Sequence, residues 1–261
     1  MATYNSANNT LQSGNKSLFE MTINNNESSY SAPFELAVAR GKVPGIQGLS
    51  ISGFNPTVGT SWVPVWENST TYTYFTSAQP VRVWSDNASD TAVSILINGL
   101  DANYNMISET VVLTNGITGV LSTKNFYRVN SLSTTGSNNA IGNIKVGNSD
   151  KTITLAIVAD GAGRSQMTIY TVPTGYTFYL TYVNVYTNQN GSQYSNYRSF
   201  TQAPNGLTTK ILQFPLVLDY SSRKVVPRPY LEKTDIQWQV QSTATSQVGA
   251  QIEGYLVLNS L

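Results

Sequence analysis

Apolar and polar residues alternate with a period of two along most of this chain, while the 3.6-residue spacing of an amphipathic helix is nearly absent. In Ile236-Gln237-Trp238-Gln239-Val240-Gln241, Ile236, Trp238 and Val240 take one face and three glutamines the other, the pattern of a half-buried strand. The same reading predicts strands at Val81–Trp84, Val93–Asn98, Thr110–Thr114, Ile153–Val158, Met167–Val172, Phe178–Thr187, Lys210–Leu218 and Ile252–Leu258, all rich in β-branched and aromatic residues. Turn-forming groups such as Gly53-Phe54-Asn55-Pro56, Ser85-Asp86-Asn87, Asn190-Gly191 and Pro204-Asn205-Gly206 separate them. Asn98-Gly99 is expected to end one strand and Asn115-Gly116 to close another before Val120. Pro173 marks a strand end, and Gly175 permits the positive φ that reverses the chain into Phe178. Strands at such intervals, without helical crossovers, read as antiparallel sandwiches or jelly rolls.

A chain of 261 residues exceeds one comfortable core, so the expected fold is all-β, with two antiparallel β-sandwich or jelly-roll-like domains behind an N-terminal arm. The expected divisions are an arm over 1–35, a first sandwich over 36–160 and a second over 161–261. The cut falls at the Gly-rich break Asp160-Gly161-Ala162-Gly163, with the Ser/Thr/Asn/Gly run Ser131–Ala140 as the alternative connector. No solenoid or propeller repeat is present. Met1–Ser31, with its Asn24-Asn25-Asn26 run, has too little apolar surface to fold alone and is expected to be ordered by a neighbouring chain, docking on its own body being the alternative.

Composition narrows the chemistry. There is no histidine and no cysteine, so no imidazole general base, thiolate nucleophile, zinc cage or disulfide is available. Charged residues make up only 11% of the chain and the net charge is +1, which argues against a phosphate-tracking or membrane-binding surface. Neither nucleic acid nor a membrane is an expected partner. Met1–Thr10 is polar and lacks the layout of a signal peptide, and no apolar run approaches the ~18 residues of a membrane span. So low a charge density suits a protein much of whose surface is covered by neighbours.

The seven Asp and seven Glu are scattered, and Asp86, Asp90, Asp101, Asp150 and Asp160 sit at turns, where Asp bonds its own backbone; a hydrolytic pair is not expected. Asp86-Asn87 with Asp90 offers hard oxygen ligands but matches no calcium loop, and Gly161-Ala162-Gly163 lacks the rest of any phosphate-binding motif. No catalytic residue, metal or cofactor is therefore assigned. The polar stretch Thr187–Gly206 reads as an excursion between strands. It carries Tyr194, Tyr197, Arg198 and Phe200, which either form a recognition surface or pack back on the sheet beneath. Arg223, Lys224 and Arg228, among Pro227 and Pro229, form a basic stiffened connection that either docks on an acidic neighbour or faces solvent. Trp84 and Trp238 read as core, whereas Trp62, Trp66 and the Tyr194 stretch are where a sugar ring would find an aromatic face.

Several segments taken in order resemble structural proteins of tailed bacteriophages, marine (cyanophage-like) ones in particular. They are Ser89-Asp90-Thr91, Val93–Ile97, Asn98-Gly99-Leu100-Asp101 and Glu109–Gly116. Phe126-Tyr127-Arg128-Val129, Gly136–Asn139 before Gly142-Asn143-Ile144, Tyr170–Gly175 and Glu232–Ile236 continue the series, which spans roughly 85–240. The resemblance implies a non-enzymatic virion component, assembled in the host cytoplasm, whose partners are other virion proteins and copies of itself. The first expected place is the tail, neck or collar exterior. Capsid decoration is the alternative, and a module binding a host-surface glycan is a reading of another class.

Overall fold

A computed structural model describes residues 3–5, 10–12, 33–189 and 193–260. Most of the Met1–Ser31 arm lies outside the described residues. Contacts divide the chain into units of 1–43 and 44–261. Among the described residues the first holds a short antiparallel pair, β1 (Thr3–Asn5) with β2 (Thr10–Gln12), and a helix, α1 (Phe34–Ala39), which the period-two reading had not anticipated.

The second unit is all strand: β3 (Ile46–Val58), β4 (Val63–Pro64), β5 (Gln79–Ser85), β6 (Ser94–Leu100), β7 (Met106–Val112), β8 (Val120–Phe126), β9 (Arg128–Thr135), β10 (Ile144–Gly147), β11 (Thr154–Val158), β12 (Ile169–Thr171), β13 (Tyr176–Thr187), β14 (Ser195–Gln202), β15 (Thr208–Leu216), β16 (Asp219–Tyr230), β17 (Asp235–Ser242) and β18 (Ser246–Leu258). All the pairings are antiparallel. Sheets ordered β11-β10-β5-β8 and β7-β6-β9 enclose one core, which includes Val81, Val83, Ile95, Ile97, Leu132 and Ile144. Sheets ordered β16-β13-β18-β3 and β12-β17-β14-β15, with β4 added on β17, enclose a second core around Phe178, Val183, Tyr197, Trp238 and Ile252. Inward-facing apolar residues of both sheets meet in each case, the arrangement of a β-sandwich.

Sheet membership departs from the linear division at 160. Strands β3 and β4 precede the whole first sandwich in sequence, yet β3 pairs with β18 from Ile46↔Val257 to Val58↔Ser246, and β4 pairs with β17. The C-terminal sandwich is thus completed by a strand from near the start of the second unit. Ser131–Ala140, the alternative connector, is half strand, since β9 runs to Thr135. Asn98-Gly99 lies inside β6 and ends nothing. A Cβ on Gly99 would strike the Arg128 carbonyl and the Phe126 ring, so glycine is needed there to let β9 approach closely at a register shift. The turn comes at Asp101, whose Oδ1 accepts from the Asn103 and Asn105 backbone N–H groups.

Strand β17 alternates as its sequence demands, but its polar face is not solvated. Gln237 and Gln239 are buried: Gln239 donates to the Gln237 side chain at 2.7 Å, and Gln237 donates to the Tyr74 hydroxyl at 3.3 Å. The loop before β5 folds over this face, so β17 is covered on both sides. Its end carries the ion pair that fastens the two sandwiches. Arg128 of β9 donates from Nε and Nη2 to the two oxygens of Asp235 at 2.8 and 2.9 Å, and from Nη1 to the carbonyls of Phe75 and Tyr127 at 3.0 Å each. Thr171 donates to Asp235 Oδ1 at 2.5 Å, and the rings of Tyr127, Tyr74 and Tyr104 surround the guanidinium at 4.0, 4.6 and 5.9 Å. With Arg128 only 7% exposed, the paired charge is sealed between the sandwiches.

Candidate docking surface

The basic connection around Arg223 is the outer edge of the second sandwich. Strand β16 pairs with β13 on one side only, and between Tyr182↔Arg223 and Leu180↔Arg228 the register jumps, so 224–227 bulge out of the ladder. The bulge carries Val225, 98% exposed, and Val226, 80% exposed. Arg223 and Lys224 flank it on one side and Arg228 on the other, and the Lys224 ammonium reaches the Ser222 hydroxyl at 3.0 Å. Leu231 follows at the strand's end, and Val217 and Leu218, both exposed, turn the chain from β15 into β16. Branched apolar side chains this far into solvent contribute nothing to a free monomer's core.

Thr187–Gly206 contains a strand where the sequence suggested a loop. β14 lies between β15 and β17, so its alternate residues split between the sheet's two faces. Tyr197 points inward and is 1% exposed, packed in the second core. It is not a surface anchor, and burial pushes its phenol well above the usual range. Arg198 lies on the opposite face, its Nε donating to Gln239 at 2.8 Å and its guanidinium 4.0 Å from the centre of the Trp62 ring. Partial burial draws its pKa down from the ordinary arginine value. Phe200 sits beside Gln237 in register on that same face. Of the four, Tyr194 is the most exposed, its backbone N–H and C=O held by Thr243. The excursion's aromatics are thereby dispersed. Trp66 is buried in the first core with Nε1 on the Thr70 carbonyl, which removes it from any sugar-binding face, and Trp62 lies against Arg198.

Carboxylates are mostly consumed by backbone. Burial works against the charge on Asp90, but the Ser85 hydroxyl and the N–H groups of Ile141 (2.7 Å) and Gly142 (3.0 Å) outweigh it and hold the pKa below the usual range. Asp86 pairs with Lys145 at 2.7 Å, so the two are drawn apart from any shared calcium site. Glu109 caps the Thr123 and Lys124 N–H groups, and Glu232 those of Gly175 and the Thr174 hydroxyl. Glu67 is the exception. Its Oε1 is buried without a partner, and burial raises its carboxyl to about 7, only partly offset by backbone bonds from Gln166 and Ala159. Among the described residues no three acidic side chains gather as a metal site would require.

Two clefts remain. One of about 420 Å³ runs between β3 and the β7-β6-β9 sheet, but its amides are already engaged: Asn98 with Ser131, and Asn130 with the backbone of Thr171. The other, of about 190 Å³, opens where β15 faces β16, beside the exposed bulge, and is lined by Leu207, Ile211, Arg228, Tyr230 and Leu231 with the threonines 201 and 209. No protein-family model, no curated protein and no solved structure matches this chain.

Proposed function

We propose that the protein is a non-enzymatic virion structural component of a tailed bacteriophage, docking in multiple copies on the tail, neck or collar exterior. The observation that carries this reading is the β16 bulge, where Val225 and Val226 project between Arg223, Lys224 and Arg228. An apolar tip ringed by cations is the chemistry of an anchor for an acidic-rimmed neighbour, with the valines desolvated at the centre and the charges at the margin. The sealed ion pair between the sandwiches supports the same reading, because a rigid two-sandwich body transmits load between whatever it joins. The resemblance over residues 85–240 supplies the particle.

The test is stoichiometry and incorporation. Purified particles should contain the protein as a ring of about six or twelve copies, by quantitative mass spectrometry against the major capsid protein. Hundreds of copies would assign it to capsid decoration instead. Complementation with a Val225→Thr/Val226→Thr variant should leave the folded protein in the lysate and off the particle, whereas normal incorporation of that variant removes the bulge as the anchor.

A glycan-binding reading has one observation in its favour. Tyr186, half exposed on β13, lies flat across Gly249 of β18, where any Cβ would collide with the ring. The outward face of that ring suits a sugar, and Asn184 and Gln251 share the face beside it. Loss of host-cell adsorption in a Tyr186→Ala particle of normal composition is the result that would favour it.

A further inference from the structure

Arg228 is a cation without a counter-ion. It pairs in register with Leu180, on the inner side of the sheet, and its guanidinium lies 5.8 Å from the centre of the Tyr230 ring. Among the described residues it makes no hydrogen bond and no ion pair. The nearby carboxylate of Glu232 is held by Gly175 and Thr174, and that of Asp235 by Arg128, so neither turns toward the cleft. The floor is the ring of Tyr230, 5% exposed, whose hydroxyl is buried beside Ser199 and closed to the cleft. Around the guanidinium stand Ile211 and the exposed rims Leu207 and Leu231.

The edge itself narrows what can enter. Pro227 and Pro229 lack N–H groups and the bulge breaks the ladder, so β16 cannot take up a further strand over 224–230, beside the cleft. Recognition must come through side chains. We infer that the cleft between β15 and β16 receives a glutamate or aspartate side chain of a partner protein, the carboxylate held by the Arg228 guanidinium and flanked by apolar residues that cover Leu207 and Leu231. Charge complementarity selects this occupant, for the cleft holds a cation and no acid of its own. This inference rests on the docking reading above and adds to it the chemistry of the partner.

The test uses full-length protein and two blocked peptides, acetyl-Leu-Glu-Leu-amide and its glutamine counterpart, followed by NMR at the Arg228 Nε–H and at the Leu207 and Leu231 methyl groups. The glutamate peptide should shift these signals saturably, the glutamine peptide about ten-fold more weakly, since a charge-assisted bond to guanidinium is about twice as strong as a neutral one. Arg228→Gln, checked for native fold by circular dichroism, should bind both peptides equally weakly. Equal binding of the two peptides by the unaltered protein, no binding of either, or discrimination that survives in Arg228→Gln each overturns the inference. So does self-association abolished by Arg228→Gln, which would assign the cleft to a second copy. Particle incorporation separates the two readings. If Arg228→Gln enters particles normally while Val225→Thr/Val226→Thr does not, docking stands and the carboxylate inference fails; if both enter normally, the docking reading fails.

Discussion

Arg128 and Arg228 are the same residue in opposite circumstances. Arg128 lies between the two sandwiches, with Asp235, two carbonyls and three tyrosine rings engaging its guanidinium. Arg228 lies at an open edge, its guanidinium 5.8 Å from the centre of the Tyr230 ring and, among the described residues, without a hydrogen bond or ion pair. A buried guanidinium must be fully engaged or it costs several kcal/mol, so the seam is an all-or-none structure. A half-exposed one is free to wait, because water solvates what the protein does not. The difference teaches where to look for a docking site: in the polar groups that the fold has not used.

The largest expected effect is at the seam. Asp235→Asn leaves Arg128 buried without a counter-charge and should destabilise the protein by about 3–5 kcal/mol, read from denaturant unfolding of the full chain. A loss below about 1 kcal/mol would mean that the seam is wetter than its geometry indicates, and the contrast between the arginines would weaken. Next comes Tyr197→Ala, which removes a ring from the second core and should cost about 3 kcal/mol. Unchanged stability with impaired assembly would return Tyr197 to the surface role that its neighbours in sequence suggested.

Glu67 sharpens the comparison through pH. Its folded carboxyl keeps a proton up to about 7 against an ordinary value of 4.5, so between those values the native state binds more protons than the unfolded one. Stability contributed by this group is therefore present below about pH 4.5 and lost as pH rises toward 7, with a slope of at most about 1.4 kcal/mol per pH unit. Glu67→Gln should flatten that part of the profile in urea titrations run across the range; a profile identical to that of the parent would show that Glu67 ionises normally.

The smallest effect on stability belongs to the edge. Val225→Thr with Val226→Thr should change the unfolding free energy by no more than about 0.5 kcal/mol, since both side chains are already in solvent. A large loss here, or a small one at Asp235, would invert the order that the two arginines imply.

The period-two alternation alone establishes the all-β class and locates most strands, because one buried face forces every second residue to be apolar whatever the topology. It also identifies some of the turn residues: Gly175 has the positive φ its position in Val172-Pro173-Thr174-Gly175 required, and Asp101 bonds the backbone of its own loop, whereas Gly53-Phe54-Asn55-Pro56 lies inside β3 and Asp90 accepts from the distant Ile141 and Gly142 N–H groups. It places Arg223, Lys224 and Arg228 in one segment. What it cannot supply is the environment of each face. Alternation on β17 separates glutamines from Trp238 but does not say that another loop covers the glutamines, and alternation on β14 gives Tyr197 and Arg198 opposite faces without saying which one is core. The pairing of β3 with β18 and of Arg128 with Asp235 joins residues far apart in the chain, and nothing local records it. Local chemistry decides the backbone's conformation at each residue; only the packing of distant strands decides which polar groups are paired, which are sealed, and which, like Arg228, have no hydrogen-bond or ionic partner among the described residues.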